Sequence, residues 1–344
     1  MRRFAVMAVC AAFPWLAAIG RAQDDNVYGS KGTPTRGRIT QVSPDKVTLQ
    51  AAGGARDFDV REIVRVTFGG EPRELASGRR MAAEGRYEDA LKELENVKAE
   101  DITEDLIKQD VAYYLAYCQG RLALTSGGDR AAAISALKAF LGKNRNTFHF
   151  YDGVELLGDL NLAANDFAAA ATFYGLLAKA PWPDYRMRAE IQLANAKCAD
   201  GKYGEALPMY EKLLGSGLSS PETVQQMLHA TVGKAVCLAA TGKPQEAIKL
   251  LEEIIAKQDP SDAKLFARVY NALGMSHMKL GKTKEAILAF LHTEVLYSGD
   301  PDTAAEAQYY LAKLWDEVHN PDRANRARAT LRSSYGGSRW AGKN

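Results

Sequence analysis

The residues best suited to acid–base or metal chemistry are few and scattered in this sequence. Of five histidines, His149 is close in the chain to the carboxylate of Asp152, three residues later. A metal or acid–base site needs a third ligand or an orienting partner, and the sequence identifies none. The chain also lacks H-E-x-x-H, G-x-S-x-G, a Walker loop and a G-x-G-x-x-G turn after a strand. We therefore expect no catalytic residues, no metal, no cofactor and no enzymatic activity.

The cysteines show no spacing that indicates a metal or redox site. Cys118, Cys198 and Cys237 each lie in an alanine-rich apolar stretch, and the sequence contains no C-x-x-C pair. A chain of 344 residues can build a large core without disulfides, and a zinc site requires several ligands. These three cysteines are therefore predicted to be small core residues.

The amino-terminal residues predict export. Arg2 and Arg3 precede an apolar run over residues 4–19, which ends in small residues suited to signal cleavage before Gln23. An uncleaved anchor helix is the alternative, but a proline interrupts the run, and about 20 apolar residues are needed to span a membrane. We interpret residues 1–22 as a secretory signal peptide, with no integral membrane span in the mature chain. The protein is then expected to cross the inner membrane and to be periplasmic or envelope-associated.

The charge balance excludes a strongly polyanion-binding protein. The chain has 44 basic and 42 acidic residues, and its first 22 residues contain three arginines and no acidic residue. The remainder therefore carries 41 basic and 42 acidic side chains. Nucleic-acid-binding domains have a marked basic excess, so we expect no nucleic-acid partner.

Residues 37–70 have a pattern typical of short strands. Apolar residues alternate with polar ones from Ile39 to Leu49, and Ser43-Pro44-Asp45 and Gly53-Gly54 are turn signals. This pattern predicts three or four antiparallel strands in a small all-β domain of SH3-like or Sm-like form. So small a domain would rely on packing against the segment that follows. Residues 23–36, rich in Gly, Ser, Thr and Asp, are predicted to be a flexible leader.

An internal repeat dominates residues 74–340. Gly85-Arg86-Tyr87-Glu88-Asp89-Ala90-Leu91 recurs almost letter for letter as Gly201-Lys202-Tyr203-Gly204-Glu205-Ala206-Leu207. Three further copies keep a turn residue and an alanine five positions later. A left-handed turn residue reverses the chain between two helices, and the alanine lets the helices approach closely. The five turn residues are Gly85, Asn165, Gly201, Gly242 and Gly281.

These copies resemble the tetratricopeptide repeat (TPR) family, whose units place the same residue types at a helix–turn–helix. The resemblance implies a mainly α fold, a TPR-like α-solenoid of about six or seven antiparallel helix pairs over residues 74–340, behind the small β domain. The turns here are 36, 41 and 39 residues apart from Asn165 to Gly281, so the units are extended. Residues 333–340 are also similar to the closing repeats of envelope TPR proteins of the Tol-Pal and outer-membrane-assembly type.

The resemblance further implies a function in protein binding. TPR superhelices bind an extended peptide or a partner helix on a concave wall formed by the first helix of each unit. We therefore expect a non-catalytic envelope scaffold or adaptor. The alternative is a cell-wall or glycan-binding accessory factor that uses the β domain and would expose aromatic side chains there. The repeat positions place these residues on the wall: Asp152, Glu155, Asp159, Arg188, Ile191, Asn195, His229, Val232, Val236, Arg268, Asn271 and Met275.

Basic residues accumulate at the carboxyl-terminal end. Arg323, Arg326, Arg328 and Arg332 fall within one predicted helix, and Arg339 follows it. Terminal repeats need a polar outer face, and basic residues favour the negative end of the helix dipole. The alternative is a cationic surface that contacts an anionic envelope surface or an acidic partner.

Overall fold

A computed structural model describes residues 24–30 and 32–343 of the chain. These residues form an amino-terminal antiparallel sheet and then fourteen α-helices in seven consecutive antiparallel pairs, which confirms the expected fold class. The predicted signal peptide lies outside the described residues. The strands are β1 (Asp25–Gly29), β2 (Thr35–Val42), β3 (Lys46–Ala51), β4 (Gly54–Asp59) and β5 (Ile63–Thr67). The helices are α1 (Arg73–Ala83), α2 (Tyr87–Glu95), α3 (Asp105–Thr125), α4 (Arg130–Lys143), α5 (Phe150–Ala163), α6 (Phe167–Leu177), α7 (Pro183–Ala199), α8 (Tyr203–Leu214), α9 (Pro221–Ala240), α10 (Pro244–Lys257), α11 (Ala263–Lys279), α12 (Thr283–Leu296), α13 (Pro301–Glu317) and α14 (Pro321–Ser334).

The sheet contains a strand that the sequence pattern does not predict. Its order is β4-β3-β2-β1-β5, with antiparallel neighbours throughout. The added strand, β1, lies within residues 23–36, so the prediction of a flexible leader was wrong for that stretch. Val27 is buried, and the Asp25 carboxylate accepts hydrogen bonds from the backbone N–H groups of Ile39 and Gly69 at 2.8 and 2.9 Å. These long-range contacts, rather than a local alternation of residues, hold β1 in the sheet.

The sheet packs against two separate parts of the helical array. Val47 and Leu49 are fully buried and share a core with Leu75 of α1. Farther along the chain, the indole N–H of Trp182, next to α7, donates a hydrogen bond to Asp59 Oδ2 at 2.8 Å. A sheet of this size gains stability from such packing because its own core is small.

Most helix pairs reverse direction at a residue with positive φ. The turn glycines have φ between 69° and 91°, and Asn165 and His319 adopt the same conformation with φ of 59° and 56°. Asparagine tolerates this region better than most non-glycine residues. His319 joins α13 to α14 and was not predicted, because histidine gives no turn signal. The four turn glycines are Gly85, Gly201, Gly242 and Gly281.

Glycines on the first helix of a pair pack against large side chains of the second helix. A Cβ atom on Gly158 would lie 2.3 Å from Cε1 of Tyr174, and one on Gly274 would lie 2.6 Å from Cε2 of Phe290. Tyr174 and Phe290 are both fully buried. Protein interiors are close-packed, so a side chain at either glycine would force the two helices apart.

The superhelix closes on itself through the carboxyl-terminal segment. Helix α13 contacts α3, and the backbone N–H of Gly337 donates to the carbonyl oxygen of Thr125 at 3.0 Å. The Arg130 guanidinium donates to the Gly337 carbonyl oxygen. Helices α3, α5, α7, α9, α11 and α13 therefore surround a central channel. Within residues 24–30 and 32–343, no helix has both the length and the apolar composition needed to cross a membrane.

Candidate binding channel

The central channel consists of two continuous cavities. One has a volume of about 340 Å³ and reaches the carboxyl-terminal segment, and the other has a volume of about 1120 Å³ and reaches strand β5. Arg121, Asp159, Gln192 and Lys264 line both cavities. These four residues lie on first helices of four different pairs, so the channel follows the inner wall of the superhelix.

An acidic row on α5 faces the channel. Asp152, Glu155 and Asp159 are three and four residues apart, a spacing that places them on one face of a helix. Enclosure by the surrounding helices disfavours their charged forms. This burial raises the pKa of Glu155 to about 7 and that of Asp159 to about 6, and it also raises the pKa of Asp152. Glu155 and Asp159 therefore change their charge closer to neutral pH than ordinary carboxyl groups do.

Two basic groups, Arg188 of α7 and Lys264 of α11, oppose this acidic row. Arg188 Nη2 lies 3.1 Å from Glu155 Oε2. This distance is short enough for an ion pair, but the angles do not fit a hydrogen bond. Nη2 and Nε of Arg188 therefore have no hydrogen-bond partner among the described residues. The Arg268 guanidinium donates to Asn195 Oδ1 at 3.2 Å, and the Tyr210 hydroxyl donates to the same oxygen at 2.7 Å.

Helix α13 and the carboxyl-terminal segment complete the wall. Asp302 and Glu306 line the smaller cavity together with Arg339. Burial raises the pKa of both carboxyls, an effect that the charge of Arg339 partly offsets. Glu306 Oε2 accepts a hydrogen bond from Asn271 at 2.9 Å. The channel wall is thus mixed in charge and rich in hydrogen-bonding groups.

The basic residues at the carboxyl-terminal end do not form one surface. Arg339 lines the channel, whereas Arg323 lies on α14 with its guanidinium 4.6 Å from the ring centre of Trp315. Arg328 forms an ion pair with Asp316. Arg339 therefore belongs to the inner wall, and a cationic outer surface would be restricted to the arginines of α14.

Most residues predicted on the concave wall line the channel, and three do not. Ile191 is buried in the core between α7 and α8, about 60° around the helix from Arg188 and about 40° from Asn195, on the side that packs against α8. Asn271 is buried between α11 and α13, and His229 does not line either cavity. The nine that line the channel are Asp152, Glu155, Asp159, Arg188, Asn195, Val232, Val236, Arg268 and Met275.

Several lining residues were missed at the sequence level. Gln192 is one turn from Arg188, and the correct rotation of α7 would have indicated it. Asp302 and Glu306 would follow from extending the repeat positions to α13. Arg339 lies outside the helix pairs, so nothing in its local sequence indicates that it faces the channel.

His149 belongs to a buried network rather than to a site with Asp152. Its Nε2 lies 2.7 Å from Asp110 Oδ1, and Arg79 donates to Asp110 Oδ2 at 2.6 Å. Arg79 also pairs with Glu71 at 2.9 Å. Burial opposes ionisation of Asp110, but the hydrogen bond from His149 and the charge of Arg79 outweigh it and lower its pKa. In the part of the chain that the structure describes, no three His, Cys, Asp or Glu side chains are arranged to hold a metal ion.

Comparisons with known proteins agree with this architecture. Residues 191–263 match the family model for the tetratricopeptide repeat. A tetratricopeptide repeat protein from Parabacteroides merdae is 16% identical, with a TM-score of 0.51 over 76% of this chain and 91% of that chain. The apo form of the quorum sensor NprR from B. thuringiensis is 13% identical, with a TM-score of 0.49 over 75% of this chain and 85% of that chain. No curated protein matches this chain.

The family model and the Parabacteroides merdae structure define the fold. Residues 191–263 carry tetratricopeptide repeats, and the helical array as a whole has the fold of a TPR-like α-solenoid. Neither the family model nor the similar structures indicate an enzyme family. The concave wall of this solenoid is the channel lining.

Proposed function

We propose that this chain is an exported, non-catalytic adaptor that holds a polypeptide segment of another protein in its central channel. The observation that carries the proposal is the convergence of charged and amide side chains from successive first helices on one enclosed channel. Tetratricopeptide repeats match the chain over helices that form part of this wall. Binding of a partner along the inner wall is the established use of such superhelices.

The chemistry of the lining favours an extended polypeptide with polar side chains. Arg188 Nε and Trp340 Nε1 are buried donors beside the channel and have no hydrogen-bond partner among the described residues. Buried donors are normally paired, so carbonyl groups of a bound chain would satisfy them after a small rotation. The acidic residues of α5 and α13 would pair with basic side chains. A helix bound by its apolar face needs an apolar groove, which this mixed-charge wall does not provide.

The alternative, a cell-wall or glycan-binding factor, would need exposed aromatic side chains on the sheet. Among the described residues of the sheet, Tyr28 and Phe58 are half-buried, and Phe68 at its end is buried. The guanidinium of Arg65 lies 4.1 Å from the Tyr28 ring centre, and that of Arg56 lies 4.8 Å from the Phe58 ring centre. No observation therefore favours glycan binding as a second function.

Site-specific photocrosslinking tests the proposal. A photoreactive phenylalanine replaces Gln192 in the channel, and the control variant carries it at Glu252, an exposed position on α10. Irradiation in cells should give covalent adducts with protein from position 192 and few or none from position 252. Adducts of equal abundance from both positions, or none from position 192, would contradict binding in the channel.

The export part of the proposal rests on residues 1–22. It predicts that the mature chain begins at Gln23 and is recovered from the periplasm or the envelope fraction. Cell fractionation followed by amino-terminal sequencing measures both properties. Recovery of the uncleaved chain from the cytosolic fraction would show that residues 1–22 are not a signal peptide.

Contact with an envelope surface is a subsidiary proposal that concerns α14. Arg326 and Arg332 are exposed there, and attachment through such charges should weaken steeply with salt. Changing both to Gln should reduce the fraction retained on envelope vesicles at low ionic strength. The matched control changes Lys249 and Lys284, which are exposed on other helices. Equal retention of both variants and the parent would leave the arginines only a role in solubility.

A further inference from the structure

Two thiols from consecutive helix pairs lie in contact beside the channel. Cys198 near the end of α7 and Cys237 on α9 are 39 residues apart, and their Sγ atoms are separated by 3.4 Å. Both are free thiols. A disulfide bond is about 2.05 Å long, so the sulfurs need to approach by about 1.4 Å to bond. The sequence alone does not indicate this pair, because the two cysteines lie in different helix pairs.

The two thiols differ in accessibility. Cys198 lines the smaller cavity and is half-buried, whereas Cys237 is fully buried. The Tyr210 hydroxyl lies 3.9 Å from Cys198 Sγ. A small molecule in the channel would therefore meet Cys198 first, and Cys237 would be reached only through it. Cys118 offers a contrast, because it is fully buried in the core beneath the sheet.

We propose that Cys198 and Cys237 form a redox site that acquires a disulfide bond by exchange with a small-molecule disulfide entering the channel. This modification goes beyond the proposed binding function and does not depend on it. Because the bond would join α7 to α9, it would fix the geometry between two consecutive units. The relative rotation of neighbouring units sets the curvature of a solenoid, and hence the width of its inner wall.

The exchange proceeds in two balanced steps. Cys198 loses its proton to solvent, and its thiolate attacks one sulfur of the external disulfide R–S–S–R. A mixed disulfide forms on Cys198, and one RS⁻ leaves and takes up a proton. Cys237 then loses its proton and attacks Cys198 Sγ, and the second RS⁻ leaves and is protonated. Two protein thiols are oxidised to one disulfide, and the external disulfide is reduced to two thiols.

The surroundings of the two sulfurs support this order of attack. A hydrogen bond from the Cys237 thiol, together with the positive charge of Arg268, lowers the pKa of Cys198 in spite of its partial burial. The pKa of Cys237 is raised, because its proton is shared with Cys198 and because it is buried. The thiolate is the attacking species, so Cys198 is the nucleophile and Cys237 the resolving thiol.

Oxidised glutathione serves as the probe in the test. The purified, reduced full chain is treated under native conditions, the remaining thiols are alkylated, and peptide mapping by mass spectrometry assigns each cysteine. We expect one cross-linked peptide pair that joins residues 198 and 237, while Cys118 stays alkylated. Alkylation of all three of these cysteines after treatment would overturn the proposal, as would a mixture of intermolecular disulfides.

Single variants test the assigned roles. Cys237→Ser should trap a stable glutathione adduct on Cys198, because the resolving thiol is missing. Cys198→Ser should leave Cys237 without an adduct, because the channel does not reach it. Cys118→Ser is the matched control and should still form the 198–237 bond. Glutathione adducts of equal yield at residues 118 and 198 would show ordinary thiol exposure rather than a built site.

Discussion

Asp110→Ala would break the buried network that joins the first helix pairs. The Asp110 carboxylate pairs with Arg79 of α1 and with His149 at the start of α5, and Arg79 also pairs with Glu71. The side chains of Arg79 and Asp110 are only 5% and 2% exposed. The substitution therefore leaves a guanidinium without one of its two carboxylates in a site that water barely reaches.

The magnitude follows from that burial. Removing one partner of a buried ion pair destabilises a protein by about 3–5 kcal/mol, because the other charge stays buried and uncompensated. Arg79 keeps its pair with Glu71, so we expect a loss near the lower value, about 3 kcal/mol. At about 2.1 cal/mol/K of unfolding entropy per residue, a fold of about 320 residues loses about 1.5 °C of melting temperature for each kcal/mol. The expected decrease is therefore about 4–5 °C.

Thermal melts followed by circular dichroism measure this effect. The matched control is Glu88→Ala, which removes an exposed ion pair with Lys92 and should leave the melting temperature nearly unchanged. Since the pKa of Asp110 is lowered by folding, its contribution is present above the ordinary carboxyl pKa and is lost as the pH falls through the folded value. The variant and parent should converge in acid. A loss of under about 1 kcal/mol at neutral pH would refute the reasoning.

Three further predictions concern the channel, its closure and the helix pairs. Burial raises the pKa of Glu155 to about 7, so the contribution of this group to folding stability is complete below the ordinary glutamate pKa and is lost as the pH rises through 7. Glu155→Gln should therefore flatten the decline of melting temperature with pH. Parallel declines in the variant and the parent would contradict this. A Cβ atom on Gly337 would lie 2.5 Å from the Ala123 carbonyl oxygen. Gly337→Ala should therefore open the closed superhelix and increase the radius of gyration measured by small-angle scattering. An unchanged radius would mean that this contact does not hold the superhelix closed. Gly274→Val should lower the melting temperature because the added side chain would clash with Phe290. The control is Gly299→Val, where a Cβ atom meets no atom within 4 Å. Equal melting temperatures of the two variants would show that the contact between Gly274 and Phe290 does not pack the two helices.

Local requirements explain why the repeat was predictable. A turn between antiparallel helices needs a residue that tolerates positive φ, and Gly201 provides it within a short recognisable motif. Close helix packing needs a small residue such as Ala206, which is fully buried. Both demands act over a few positions, so they recur visibly along the chain. His319 shows the limit, because it adopts the same turn conformation without a residue type that indicates it.

The wall of the channel was predictable only in part. Helical periodicity identifies the inward face, and Arg188 and Asn195 lie there as expected. The rotation of each helix about its axis depends on what packs behind it. Ile191 is drawn into the core beside α8 for that reason, while Gln192 takes the inward position. An error of one residue along a helix turns a side chain by about 100°, enough to exchange core and channel.

The sequence by itself determined the class of fold, the number of helix pairs to within one, and the position of the sheet before them. These features depend on residue patterns within a helix or a turn. Only the tertiary structure decided that Asp25–Gly29 completes the sheet, that Gly337 closes the superhelix on Thr125, and that Cys198 meets Cys237. Each of these contacts joins residues that are distant in the chain. Their proximity depends on the accumulated rotation of successive helix pairs, which no local pattern records.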